Sequence, residues 1–585
     1  MGNYRNFTLT TYFVAHATAN ITKERLEKQL DFMMKHLRLD KVYLEPFRAE
    51  LASPEQVALC REAFERRGVR VAGGLTTVMR TPEGCKPKAR LFDTLCYNEP
   101  AMRQKLREVS AFIGAQFDEF IIDDFFFTSC MCPDCVREKE AFNRAHGVTD
   151  GSWQQYRLDL MRRVSREDII GPAKQANPNC RITIKYPNWA ESYQETGYNP
   201  ADQRKMFDRI YTGTETRDPV TTDQHLPRYL SFSLMTYFES MWPGHNGGGW
   251  FDTFDTHITE HYLEQAYLTA FSKPKELMLF CFQSLAERDN MYAAALGVQL
   301  DKLDDALDHA GNPVGIPCYL PDNSQGEDNV QDFLGMVGLP VVCTPYFPEN
   351  ARQMLLTRSS AYDSGIVDKL EKWLRETCGD AIVTTGFLEA VQGRGVERLT
   401  SVRLRGRRVQ VDSYRVEEAH RRGCLYPAGT KPVTIPVAEF RNNATWAVVK
   451  GVHDEESYGI LLRDDYCGGR LWTLAVPDAF PDLYRIPAPA LSRIRQAFPV
   501  NGVWLEGPAR VSLFVYDNGS FILYPYVMEG VQRDVVRVHA ADAAALTVPG
   551  RKQPIEPLYR EGNEAVFELP VLPGQFTLYT VQRSV

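Results

Sequence analysis

Residues 117–135 read FDEFIIDDFFFTSCMCPDC. The apolar run Phe120-Ile121-Ile122 has the composition of a strand buried on both faces. It ends in two adjacent carboxylates, Asp123 and Asp124, and three phenylalanines follow. Cys130 then opens a C-x-C-x-x-C cluster that Cys132 and Cys135 complete. Acids at the carboxyl end of a buried strand, with thiols in the loop beyond, look like catalysis beside a metal-stiffened loop.

On either side of this stretch, short apolar strands alternate with helical periodicity. Strands are expected at 8–15, 41–44, 69–74, at the run ending in Asp123-Asp124, and at 181–186, 209–213, 229–237 and 277–283. Helices are expected at 23–37, 54–67, 101–114, 153–176 and 290–309. Eight strand–helix units within roughly 250–300 residues fit a (β/α)8 TIM barrel. An open doubly wound sheet competes less well, because no Gly-rich phosphate turn accompanies the first strands. Functional groups of such a barrel stand at the carboxyl ends of its strands. Those ends carry His16, Glu45, Arg48, Asp123, Asp124, Lys185, Tyr186, Asn188, Trp189, Glu215, Arg217, Tyr237 and Glu239. Acids, aromatic rings and amide or basic donors are what a sugar-binding cleft requires. The segment 242–250, WPGHNGGGW, reads either as a glycine-hinged lid that, with Trp189 and Trp250, stacks on sugar faces, or as an ordinary surface loop.

The barrel is assigned residues 1–312. Strand and helix signals at 313–395 suggest a smaller flavodoxin-like α/β domain without a phosphate fingerprint, hence a structural or oligomerisation domain. From 396 to 585 helices become scarce. Strands separated by Gly, Asn and Pro turns, among them Asp517-Asn518-Gly519, suggest a β-sandwich.

A chain of 585 residues is too long for one core. Its 44% hydrophobic and 24% charged residues are ordinary for a globular protein. A net charge of −8 disfavours a nucleic-acid surface. No signal peptide or membrane-spanning run is visible, and the odd count of thirteen cysteines argues for reduced thiols in a cytoplasmic protein, with an exported chain that has been trimmed as the other option. G-x-S-x-G, P-loop and H-E-x-x-H motifs are missing, which disfavours the hydrolases and transferases built on them, and no organic cofactor is expected.

Cys130, Cys132 and Cys135 supply three soft ligands, and Cys96, in LCYNEP, stands where a neighbouring barrel loop can offer the fourth of a structural four-cysteine zinc site. The run Cys96-x-Asn98-x-Pro100-x-x-Arg103, followed by a strand ending in acids and then C-x-C-x-x-C, is similar to the family-42 glycoside hydrolases, the zinc-containing β-galactosidases. The resemblance implies a barrel, a flavodoxin-like trimerisation domain and a β-sandwich. It further implies zinc on Cys96, Cys130, Cys132 and Cys135, a homo-oligomer (trimer or dimer), and exo-acting cleavage of a terminal β-galactoside-like sugar with retention. Where that family has Asn-Glu, this chain has Asp123-Asp124, so the position match gives Asp124 the acid/base role. The nucleophile that the family carries at strand seven falls on Glu239, although Glu215 is the better embedded acid and has Arg217 nearby to keep it ionised. A strand-four Asp facing a strand-six acid also looks like the α-galactosidase and α-glucosidase barrels, in which Asp124 would be the nucleophile. Glu45, Lys185, Asn188, Trp189, Arg217, Tyr237 and Trp250 are the candidate substrate contacts. A carbohydrate-binding barrel without activity is the reading from another class.

Overall fold

Eight parallel strands close into a barrel: β1 (Thr8–Phe13), β2 (Lys41–Arg48), β3 (Arg70–Leu75), β4 (Glu119–Ile122), β5 (Arg181–Tyr186), β6 (Arg209–Gly213), β7 (Asn246–Asp252) and β8 (Glu276–Phe280). The structure is a computed structural model describing residues 3–85, 88–416, 424–429, 431–528 and 533–583. β1 pairs with β2 in the register Thr10↔Lys41 and with β8 in the register Thr8↔Glu276, which leaves the sheet no edge. The intervening helices begin where local chemistry starts them. The hydroxyls of Thr22 and Ser53 accept from the backbone N–H of Arg25 and Gln56 at the heads of Lys23–His36 and Pro54–Glu65.

The barrel interior is packed. Tyr12, Tyr43, Tyr211, Trp250 and Met278 fill it, and its amino-terminal end is plugged by Lys41, whose Nζ lies 2.6 Å from Glu119 Oε1 and 3.0 Å from Glu276 Oε1. Close filling makes glycine necessary on β7. A Cβ on Gly248 would meet the Glu276 carbonyl oxygen at 2.3 Å and the Tyr211 hydroxyl at 2.7 Å.

Two expectations fail at this point. The segment 229–237 is not the seventh strand. It lies in the helix Leu230–Met241, buried on nearly every side, and an apolar run of that length has no period that separates strand from helix. The true seventh strand is Asn246–Asp252, drawn from the segment read as a lid, where three consecutive glycines mask the strand.

By its contacts the chain forms two units, Met1–Asp223 with Trp242–Asp304, and Gln224–Met241 with Asp305–Val585. The first is the barrel. In the second, Val341–Thr344, Ile316–Tyr319, Gln353–Leu356, Asp380–Thr384 and Gly469–Leu474 form a parallel sheet in the order second, first, third, fourth, fifth, which is flavodoxin-like. Helix Leu230–Met241 lies against this sheet, with the Cys343 N–H donating to Thr236 Oγ1 at 3.0 Å and Ser240 Oγ 2.8 Å from Thr344 Oγ1. The expected boundary at 395/396 cuts through the sheet, because its fifth parallel strand comes from Gly469–Leu474 and antiparallel strands from 413–466 extend it. Beyond it, Val503–Glu506, Asp534–Ala541, Glu564–Val571 and Tyr559–Glu561 form one antiparallel sheet, and Val511–Tyr516, Ser520–Pro525, Thr577–Arg583 and Ala543–Thr547, joined by Pro313–Val314, form another. The Asp517-Asn518-Gly519 turn joins two of these strands, with Gly519 at φ +82°.

Candidate active site

Lys185 organises the carboxyl end of the barrel. The alternation of β5 turns Tyr186 outward, where its hydroxyl donates to Gln203, and sends Lys185 inward. Lys185 is 2% exposed and its Nζ lies 2.6 Å from Asp124 Oδ2, 2.6 Å from Glu215 Oε1 and 3.8 Å from Asp123 Oδ1. The ammonium sits 4.2 Å above the ring of Trp250, which stacks on Phe280 at 4.9 Å and meets Tyr12 at 4.8 Å, so the pocket has an aromatic floor.

The acids around this cation hold their protons differently. Burial pushes Glu215 above the usual carboxylate range and the charges of Asp124 and Asp252 push it further, against the pull of Lys185. Burial, then the neighbouring Asp124, raises Asp123. Burial likewise raises Glu45, which accepts from the Ala15 N–H at 2.7 Å and from the Thr76 hydroxyl. Asp124 goes the other way. Burial opposes its ionisation, but Lys185 and hydrogen bonds from Lys185 and Asp123 outweigh it and hold Asp124 low. Glu215 Oε2 has no partner among the described residues, and it occupies space that a Cβ on Gly213 would enter, 2.6 Å away.

The pocket thus gathers Glu45, Asp123, Asp124, Lys185, Glu215 and Trp250. Asn188 supports it, donating to the Glu215 carbonyl at 2.7 Å. Trp189 stands against Phe127 and Tyr198, half-buried. Arg217 pulls Glu215 down as expected, but too weakly to keep it ionised against burial and the neighbouring acids. Its guanidinium grips Asp252 at the end of β7 with two bonds of 3.0 and 2.8 Å, and Glu215 is raised rather than lowered. Tyr237 and Glu239 lie on helix Leu230–Met241 in the second unit, and the carboxylate at the end of strand seven is Asp252. His16 is exposed on the short helix Ala15–Asn20 and bonds with Asn20. Sequence reasoning missed Asp252 because it missed β7, and missed Thr76, whose hydroxyl also reaches Asp123 at 3.2 Å. A threonine after a strand carries no signal of its own.

Cys96 lies in the loop after β3, Cys130 and Cys132 in the loop after β4, and Cys135 in the first turn of the helix Pro133–His146 that follows. Their sulfurs all lie within 4.8 Å of one another, with Cys96 and Cys132 Sγ each about as far from Cys135 Sγ, 3.6 and 3.5 Å. Ligands of a tetrahedral ion at a bond length of about 2.3 Å stand roughly 3.8 Å apart, so this buried cluster fits a metal. The Asn98 amide donates to Cys135 Sγ at 3.2 Å, and Lys88 Nζ lies 3.9 Å from Cys132 Sγ, donors suited to thiolates.

Known proteins place this arrangement. Residues 1–298 match the family described as "Probable glycosyl hydrolase, catalytic domain", 311–479 the second domain of the uncharacterized protein SSO3021, and 502–580 "Probable glycosyl hydrolase, C-terminal domain". SSO3021 of Saccharolobus solfataricus is 27% identical over 399 residues, which cover 63% of this chain and 65% of that protein. The chain therefore spans just under two thirds of that relative's length. α-L-Fucosidase isoenzyme 2 from Paenibacillus thiaminolyticus superposes over the whole of both chains with a TM-score of 0.65 at 12% identity. The exo-β-1,4-mannosidase Op5Man5 from Opitutaceae bacterium strain TAV5 covers 82% of this chain and 93% of its own, with a TM-score of 0.51 at 11% identity. At those identities the two structures speak for the fold, and the catalytic-domain match spans just over half the sequence: the chain belongs to the probable glycosyl hydrolase catalytic-domain family.

Proposed function

We propose that the protein is an exo-acting, retaining glycosidase in which Asp124 is the nucleophile and Glu215 the general acid/base. The observation that carries this reading is the bridge through Lys185. One ammonium lies 2.6 Å from each acid, so the two oxygens are within about 5 Å of each other, and the two acids have opposite proton affinities. Carboxyl groups about 5–5.5 Å apart suit a retaining pair, whereas inversion needs roughly 6.5–9.5 Å to admit a water. The roles are the reverse of those suggested by the family-42 position match and agree with the α-glycosidase alternative.

The chemistry follows from the proton positions. Asp124, ionised beside Lys185, attacks the anomeric carbon. Glu215 delivers a proton from its unpartnered oxygen to the departing glycosidic oxygen as the bond to carbon breaks. Glu215, now ionised, takes a proton from water, whose oxygen attacks the anomeric carbon of the glycosyl ester and frees Asp124. Glu215 is buried and the Asp124 side chain is 16% exposed at the strand ends, an arrangement that suits a terminal sugar. A zinc ion on the four cysteines, pinning the loops after β3 and β4, is part of this proposal, as a structural ion outside the chemistry. So is a homo-oligomer.

Aryl α- and β-glycosides are the substrates to try, α-L-fucosides included because of the full-length structural likeness. Proton NMR of the first-formed anomer should show retention. A 2-deoxy-2-fluoro glycoside should leave its sugar on Asp124, located by peptide mass spectrometry, and Asp124→Asn should lose both turnover and labelling. A label on Glu215, or turnover by Asp124→Asn, would overturn the roles. Saturable sugar binding without turnover would favour the binding-protein reading.

A further inference from the structure

Large apolar side chains stand in water around the barrel mouth. Leu91, Phe92, Met131, Val220, Phe254 and Ile258 are exposed, and each lies in a segment leaving the carboxyl end of β3, β4, β6 or β7. The other exposed large apolar residues described in this unit are Leu51, beside the end of β2, and Met291 and Val298 on helix Asn290–His309. Such clustering at one end of a barrel is unusual for a surface with no ligand to meet.

Two of the rings are tied to the site carboxylates. Phe254, 59% exposed, lies under the Arg217 guanidinium at 5.0 Å, and its N–H donates to Asp252 Oδ1 at 3.1 Å. Phe92, 65% exposed, meets Phe125 edge to face with centroids 6.0 Å apart. Phe125 directly follows Asp124, and the Arg48 guanidinium lies 4.8 Å above it and 4.0 Å from Asp123. Phe92 is also held at φ +51°, a left-handed conformation that a bulky side chain rarely adopts, beside Asp93 at +54°. The backbone is thus strained at the position that keeps this ring outside.

We propose that these rings form the leaving-group site and that the substrate carries an apolar aglycone, an aryl or alkyl group, rather than a second sugar. The inference rests on the glycosidase reading above. If the buried acids take the terminal sugar, the leaving group must lie toward the mouth. A sugar there would need hydrogen-bond partners around its edge. Phe92 and Phe254 offer bare hydrocarbon, and Arg217 Nε and Nη2 are committed to Asp252. Flat rings in water gain most from apolar surface.

The test compares kcat/KM for the n-octyl and methyl glycosides of one sugar and anomer. The two leaving alcohols have similar basicity, so the ratio reads contact and not chemistry. The ratio should exceed about tenfold, corresponding to ~1.4 kcal/mol, and fall about tenfold in Phe92→Ser with Phe254→Ser, while Val298→Ser leaves it unchanged. A ratio within twofold of one, or a disaccharide of the same terminal sugar turned over better than the octyl glycoside, overturns the proposal while leaving the glycosidase reading intact. Binding of free 4-methylumbelliferone, followed by its fluorescence, separates the two failures. Saturable binding that Phe92→Ser and Phe254→Ser abolish, in a protein that hydrolyses nothing, would remove the catalytic reading and keep the apolar site. No binding to the wild type would remove the site.

Discussion

Replacing Lys185 by methionine should destabilise the barrel by about 3–5 kcal/mol, because it leaves ionised Asp124 without the ammonium that is its nearest counter-charge. At an effective dielectric of about 20, the 2.6 Å contact of Lys185 with ionised Asp124 corresponds to roughly 6 kcal/mol of bare attraction, most of it offset by the desolvation of both charges. A loss of that size should lower Tm by roughly 10 °C. Its pH dependence distinguishes this cause from simple repacking. In the wild type Asp124 is held below its unfolded value, so its stabilisation is present above the unfolded pKa and is lost only as pH falls through the folded one. Without Lys185, the hydrogen bond from Asp123 and the charge of Arg217 still pull Asp124 down, but burial is opposed far less and carries it upward. A raised carboxylate keeps its stability below the unfolded pKa and loses it as pH rises through the folded one. Glu215 and Asp123, already raised, shift the same way. The Tm deficit of Lys185→Met should therefore be largest near neutral pH and shrink toward pH 4–5. Thermal melts at both pH values decide the matter. An equal deficit at both, or a Tm within about 2 °C of wild type at pH 7.5, would refute the electrostatic account of the site.

The same proton affinities set the pH profile of turnover. Activity should fall on the acid side as Asp124 takes up its proton, below the ordinary aspartate range, and on the basic side as Glu215 loses its own, above the ordinary glutamate range. Glu215→Gln should abolish the basic limb and cut turnover of alkyl glycosides by about 10²–10⁴, with a smaller loss for 2,4-dinitrophenyl glycosides, whose leaving group needs no proton; a basic limb that survives would assign the acid elsewhere. For the cysteine cluster, metal analysis of unchelated protein should find about one zinc per chain, and Cys135→Ser should lose the metal and lower Tm. Protein purified without chelators and free of metal would refute it.

What the sequence showed of this site, and what it hid, follows from how far each signal extends along the chain. The strand ending in Asp123-Asp124 and the cysteines beyond it were legible because a buried run, a pair of acids and a ligand spacing are all local. Lys185 and Glu215 were legible as strand-end groups once β5 and β6 were recognised. Strand β7 was not, because NGGGWFD has no alternation, and the reason for its glycines is the approach of Glu276 and Tyr211 from other strands. The helix Leu230–Met241 reads as a strand for the complementary reason. Its apolar faces are all covered, and the covering sheet lies more than a hundred residues on, at Cys343 and Thr344. The division of labour between the acids was the least legible feature. Arg217 is two residues from Glu215, and proximity in sequence argued for an ionised glutamate. Yet the guanidinium turns to Asp252 on the strand that could not be seen, and the ammonium that decides between Asp124 and Glu215 arrives from β5, thirty residues before one and sixty-one after the other. A proton's place is fixed by charges converging from several strands, so assigning nucleophile and acid required the barrel to be closed first.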